Sequence, residues 1–136
     1  MEDILSYRAG ENLSEKTIVK FSKEGTVVKA TSPADKICGV VLFKADSDGV
    51  VDVLRAGRGL VNTAGSISAG DFVTVNKDGK ACALDITTLD EGANYILGQA
   101  EETSSSAALL QINIHPQLLV IPAKAEETET ENNGQV

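Results

Sequence analysis

Residues 13–25, Leu13-Ser14-Glu15-Lys16-Thr17-Ile18-Val19-Lys20-Phe21-Ser22-Lys23-Glu24-Gly25, align without a gap on residues 67–79, Ile67-Ser68-Ala69-Gly70-Asp71-Phe72-Val73-Thr74-Val75-Asn76-Lys77-Asp78-Gly79. Ser14 and Ser68, Val19 and Val73, Lys23 and Lys77, and Gly25 and Gly79 are identical, and apolar positions fall on apolar positions. After a short length difference, Ile37-Cys38-Gly39-Val40-Val41 matches Ile96-Leu97-Gly98-Gln99-Ala100, and Val50–Val53 falls on Leu109–Ile112 in the same register. A register shared over three segments is an internal repeat, one of the first features to establish in any chain. Each copy reads strand, Lys-acidic-Gly turn, strand, loop, strand opening at Gly, small polar turn, strand. The pattern predicts two four-strand units, 14–54 and 68–114, joined in one pseudo-symmetric barrel or sandwich, with Gly39 equivalent to Gly98 and Gly25 to Gly79.

The rest of the chain agrees with an all-β reading. Apolar runs at 17–21, 26–30, 37–43, 50–54, 72–75, 80–84, 96–100 and 109–114 are each closed by Gly, Pro, Asp or Ser. Short runs with Gly-containing connectors every ~8–12 residues are the mark of such folds. Only 89–95 leaves room for a helical turn. The apolar content is 42% but the aromatic content only 4%, so the core is built from Val, Ala, Leu and Ile. β-Branched side chains favour the pleated strand, and 12 glycines supply the turns.

At 136 residues the chain is one domain's worth, long enough to fold without staples. Two Cys and one His exclude a disulfide framework and leave little for a metal. The formal net charge of −8 argues against direct nucleic-acid binding, which draws on Lys and Arg. No apolar run reaches the length of a membrane helix, and Met1-Glu2-Asp3 does not open a signal peptide. The expectation is a soluble protein made in a reducing cytoplasm, with no membrane and no nucleic acid among its partners.

Both ends fall outside the repeat, which divides the chain into an N-terminal arm (1–13), a β-domain (14–115) and a C-terminal arm with an acidic tail (116–136). Ile4, Leu5 and Tyr7 on the first arm and Leu118, Leu119, Val120 and Ile121 on the second are apolar side chains without a place in the repeat. They are the candidate contact residues. Glu126–Val136 is too polar to order itself.

Catalytic candidates are few. His115 stands alone before Pro116 and reads as structural or solvated. Cys38 and Cys82 fall on Leu97 and Val28 in the repeat, so both read as small buried apolar residues. Asp46-Ser47-Asp48-Gly49 has its Gly too early for a calcium loop and no closing Glu, so it is a turn. Arg55-Ala56-Gly57-Arg58-Gly59 opens no helix and lacks the Lys-Ser/Thr of a phosphate loop; a kinked strand connection fits better. Gly65-Ser66-Ile67-Ser68 begins like the active-site motif of trimeric dUTPase-type hydrolases. Ser68 stands where that motif carries the water-activating Asp, and the next Tyr is Tyr95. No catalytic residue, metal or cofactor is assigned.

The distinctive stretches that remain are ISAGDFVTVNKDGK (67–80) and ILGQAEETSSSAALLQINI (96–114), preceded by Gly39-Val40-Val41. In this order they resemble the small capsid cement or head decoration proteins of tailed bacteriophages, over roughly Ser14 to His115. The resemblance implies a small β-barrel or β-tulip and a homotrimer. It also implies a structural, non-enzymatic role on the outside of the virion, where the partner is the major capsid protein. The competing readings are a trimeric β-domain of a tail fibre or baseplate and, further off, a dUTPase-like hydrolase.

Overall fold

The computed structural model describes residues 2–123. In chain order its strands are β1 (Asp3–Ala9), β2 (Ile18–Lys23), β3 (Thr26–Lys29), β4 (Ile37–Val41), β5 (Val50–Asn62), β6 (Phe72–Val75), β7 (Ala81–Ala83), β8 (Gly92–Ala100) and β9 (Leu109–Ile121). The helical turn lies at Ile86–Thr88, where the Asp85 carboxylate accepts from the Thr87 backbone N–H, and not within 89–95; Gly92–Tyr95 is extended.

The strands close a five-stranded barrel in the order β1-β3-β2-β4-β5, with β5 returning to β1. The antiparallel β1–β5 pairing runs from Ile4 opposite Leu54 to Arg8 opposite Val50. A short parallel contact, Arg8 with Thr26 and Ala9 with Val27, seals the seam between β1 and β3. The remaining strands repeat this circle as β5-β9-β8-β6-β7, and a parallel bridge from Thr63 to Ala81 brings β7 back to the end of β5. The long strand β5 therefore serves twice. Its first half ends the first unit, and Gly57–Asn62, paired antiparallel to Ile114–Leu109, opens the second. Gly57, at φ 113°, sits at the changeover in a conformation that favours glycine. The Arg55–Gly59 stretch is thus the kinked strand the sequence indicates.

Hydrogen bonds are duplicated with the strands. Leu13 and Ala45 exchange two backbone bonds (2.8 and 2.9 Å), as do Ile67 and Ser104 (both 2.8 Å). Lys16 N–H donates to Val41 C=O at 2.7 Å, and Gly70 N–H to Ala100 C=O at 2.8 Å. Ala9 N–H reaches Gly49 C=O and Thr63 N–H reaches Ala108 C=O, both at 2.8 Å. The paired glycines are equivalent. Gly25 and Gly79 turn at φ 72° and 77°, while a Cβ on Gly39 or Gly98 would lie 2.2 or 2.1 Å from the carbonyl oxygen of Leu54 or Asn113.

Three expectations need correction. Each unit has five strands, not four, because β1 and the second half of β5 are equivalent first strands. The stretch expected as an N-terminal arm is, from Asp3 on, a strand: the Ile4, Leu5 and Tyr7 backbones belong to the barrel wall, where their polar groups find partners on β5. Residues 116–121 are likewise the continuation of β9, paired with Gly92–Ile96 of β8. The acidic tail, Glu126–Val136, lies outside the described residues.

The interior of the first barrel is Ala9, Leu13, Val19, Val27, Cys38, Val41, Val51 and Val53. The counterparts of all but Ala9 (Ile67, Val73, Ala81, Leu97, Ala100, Leu110, Ile112) belong to a larger core that also contains Val61, Val75 and Ile114. That core takes in Ile18, Ala30, Ile37, Val40 and Leu54 from the outer face of the first barrel. The second unit is thus seated, open end first, on the outside of the first. Gly59 makes this possible: a Cβ there would stand 2.3 Å from Leu54 Cδ2. Burying each such Val, Leu or Ile contributes roughly 1.5–3 kcal/mol. The join also carries backbone bonds from Ile18 to Gly79 (2.9 Å), Asn62 to Lys16 (3.1 Å) and Tyr95 to Pro33 (2.7 Å).

Candidate functional site

Two exposed regions of the fold present side chains that its own packing does not use. The first is the open end of the first barrel. On β1, Leu5 and Tyr7 point along the inward-facing row that ends at Ala9, whereas Ile4 points to the opposite face. Tyr7 and Phe21 meet edge to face, with ring centroids 6.0 Å apart at 77°. The Arg55 guanidinium lies 5.4 Å from the Phe21 centroid, donates from Nε to Cys38 C=O at 3.0 Å, and from Nη1 to the Tyr7 hydroxyl at 3.3 Å. Burial pushes the Tyr7 hydroxyl and the Cys38 thiol above their ordinary pKa values; at Tyr7 the neighbouring Cys38 adds to the rise and Arg55 opposes it. Burial also raises Cys82. Thiols held protonated in this way are poor nucleophiles.

The second region is the two-stranded ribbon of Gly92–Ile96 and Gln117–Ile121. At its root Ile114 pairs with Gly98 and Gln117 with Ile96, so His115 and Pro116 together face Leu97. This is a β-bulge, where a proline without an N–H is accommodated. Before the bulge the buried residues are Leu110, Ile112 and Ile114; after it Ile121 is buried and Leu118 and Val120 face outward. His115 is exposed on this bulge, away from Cys38 and Cys82 in the sequence and in the sheet order.

The seven candidate contact residues therefore divide. Ile4, Leu5, Leu118 and Val120 are 44–60% exposed, Tyr7 and Leu119 are half-buried, and Ile121 is buried opposite Gly92. β1 begins beside Ala56 and the ribbon begins just past the partner of Gly57, so the two leave β5 at consecutive positions. The sequence reading gave no contact role to Phe21, Arg55 or Phe72. The signal lay in the repeat: Phe21 aligns with Val75, Arg55 with Ile114 and Phe72 with Ile18, each a departure at a position the other copy uses for its core.

The other chemical motifs are absorbed by structure. Asp46–Gly49 is a turn closed by Gly49 N–H to Asp46 C=O at 2.9 Å. Arg55 is engaged as described, and Arg58 pairs with Glu101 at 2.7 Å, so the Arg-Gly stretch does not converge on an anion. Among the described residues no cluster of His, Cys, Asp and Glu could hold a metal ion, and no helix is long and apolar enough to cross a membrane. Three surface hollows, of about 440, 310 and 430 Å³, are open grooves between strands and turns.

Fold and surfaces together define a small duplicated β-barrel protein with exposed apolar and aromatic side chains at the open end and on the ribbon. No family model matches the chain, and no curated protein matches it. Among solved structures it is similar to the head fiber gp8.5 N base in bacteriophage phi29, with a TM-score of 0.62 and 20% identity. The similarity covers 84% of this chain and 94% of that one. At this identity the likeness is one of fold.

Proposed function

We propose that this protein is a structural component of a phage virion, a decoration protein that binds the outside of the head as a homotrimer and acts without catalysis. The observation that carries this reading is the likeness, over nearly the whole of both chains, to the base of a phage head fiber. It is supported by the sequence resemblance to head decoration proteins. A barrel pair with a shared core and outward apolar side chains suits a protein that works by contact. The partner is the major capsid protein. Its contacts are the exposed Leu118 and Val120 of the ribbon, with Ile4 of β1 contributing from the outer face of the barrel wall.

Such binding stabilises a shell by linkage. A ligand that holds the assembled state and not the loosened one adds roughly 2.7 kcal/mol per site when present 100-fold above its dissociation constant. Three linked subunits strengthen this further, because the second and third contacts form at an effective concentration of roughly millimolar.

Incubating the full chain with undecorated heads, followed by electron microscopy and copy counting, tests the reading. Three subunits around a local three-fold are expected. Double substitution Leu118→Asp with Val120→Asp should abolish decoration while leaving the fold, read by circular dichroism, intact. Failure of the wild-type chain to bind heads would overturn the reading, and two-fold packing on the shell would overturn the trimer.

A further inference from the structure

We propose that the open end of the first unit is a docking site for the second unit of another copy of this chain, so that copies associate head to tail through the surfaces equivalent to those that meet inside each chain. The proposal specifies a protein–protein contact and does not depend on head binding.

Within the chain the contact is explicit. Lys16–Ile18 of the first unit lies between β5 and the turn before β7: Asn62 donates from its backbone to Lys16 C=O (3.1 Å) and from Nδ2 to Glu15 C=O (3.3 Å), while Ile18 N–H reaches Gly79 C=O (2.9 Å). Asn62, Asp78 and Lys80 of the second unit then share a hollow of about 310 Å³ with Leu13, Ser14 and Thr17 of the first. By the repeat, the places of Asn62, Asp78 and Lys80 are taken in the first unit by Arg8, Glu24 and Thr26. These three line the hollow of about 440 Å³ beside Tyr7, which the described residues leave open. The segment equivalent to Leu13–Ile18 is Ile67–Phe72, on the far side of the same molecule.

The two unused surfaces match at four places of the internal contact. Thr17 and Asn62, both neutral, are replaced by Asp71 and Arg8, which carry opposite charges. Among the described residues, the Arg8 side chain is otherwise committed only to a 3.7 Å pairing with the exposed Asp48, which contributes little. Ile18 is replaced by Phe72, 45% exposed here, facing an end that presents Tyr7 and Phe21. Where Leu54 fills the space left by Gly59, the outer residue becomes the smaller Asn113 and the receiving residue the larger Leu5, 47% exposed. Val40 becomes Gln99, whose amide carbonyl, like that of Asn113, can accept from Arg55 in the place of Ile114. One difference sets the strength. In the first unit Arg8 N–H already reaches Gly25 C=O at 2.8 Å, so the seam that Lys16–Ile18 occupies in the second unit is closed. A docking copy lies against this seam without entering it, and the contact is reversible.

Such an interface is heterologous, and heterologous contacts build a ring when the rotation closes. Sedimentation velocity on the full chain up to millimolar concentration, with Phe72→Glu and Arg8→Glu as one-sided variants, tests it. Both residues are exposed, so thermal melts confirm that each variant folds. Wild-type protein should self-associate, and each variant alone should associate about tenfold or more weakly. An equimolar mixture of the two should restore association as dimers, since one partner keeps an intact face and the other an intact open end. A wild-type chain that stays monomeric, a variant that associates like wild type, or a mixture that does not associate would each overturn the proposal. A head-to-tail assembly of other than three copies would leave this interface standing and remove the trimer proposed above.

Discussion

The two units share strands, turns and hydrogen bonds, yet they end differently. In the second unit the open end is lined by Val61, Val75, Leu97 and Ile114, all buried, because the outer face of the first unit covers them. The same four places in the first unit hold Tyr7, Phe21, Cys38 and Arg55, a polar-aromatic cluster partly open to solvent. The outer faces differ in the opposite sense. Ile18, Val40 and Leu54 are buried in the first unit, whereas Phe72, Gln99 and Asn113 are exposed in the second. A repeat chain must blunt its terminal faces to stay soluble, since each inner face is shaped to be covered by a neighbour. Here the blunting is partial, and what remains is chemically matched.

The largest expected effect tests whether the units are truly equivalent. Gly39→Ala and Gly98→Ala each drive a Cβ into a backbone oxygen, so each should destabilise by about 4 kcal/mol or more in urea unfolding. A cost at one site without the other would break the equivalence. Next comes the contrast between covered and uncovered faces. Leu54→Ala should cost roughly 2–5 kcal/mol. Its counterpart Asn113→Ala should stay within about 0.5 kcal/mol, as exposed substitutions do. Equal losses would mean that the second unit's outer face is not free.

Gly25→Ala and Gly79→Ala sharpen the comparison further. Both glycines have positive φ, so either change costs roughly 1–2 kcal/mol. Gly79 should cost more, because its Cβ would also meet Thr17 Cγ2 at 2.9 Å and Lys29 Cγ at 2.7 Å across the join, whereas Gly25 has open space. The smallest effect is alkaline. Folded Cys38 and Tyr7 hold their protons more tightly than the unfolded chain does. Their contribution to stability is therefore complete below the ordinary thiol pKa of about 9 and is lost as pH rises through the folded values. Unfolding followed from neutral to alkaline pH should show a shallower decline for Cys38→Ala than for the wild-type chain.

Much of this was legible beforehand, and the reason is local. A Gly at positive φ, a Lys-acidic-Gly turn and alternating Val and Ile carry their conformational preference within a few residues, so the paired strands and glycines of both units could be placed from residues 13–25, 37–41 and 50–53 and their counterparts 67–79, 96–100 and 109–112. The first strand of each unit could not. β1, with Ile4, Leu5 and Tyr7, is largely exposed and alternates only over the short run Leu5–Ala9, and Gly57–Asn62 continues an earlier strand without a turn to mark its start. The bulge at His115–Pro116 likewise decides which of Leu118–Ile121 faces outward, and a bulge reverses faces without a periodic signature.

By itself the sequence determined the duplication, the all-β class and a core of medium-sized aliphatic side chains, because these follow from turn chemistry and from which side chains avoid water. Only the tertiary structure decided that β5 serves both units, that Leu54 fills the space left by Gly59, and that Phe21, Arg55 and Phe72 stand where the other copy buries its core. Those outcomes depend on how one barrel sits on the outside of the other. Packing between elements far apart in the chain is set by the shapes of both surfaces together, and neither surface exists until its own strands have paired.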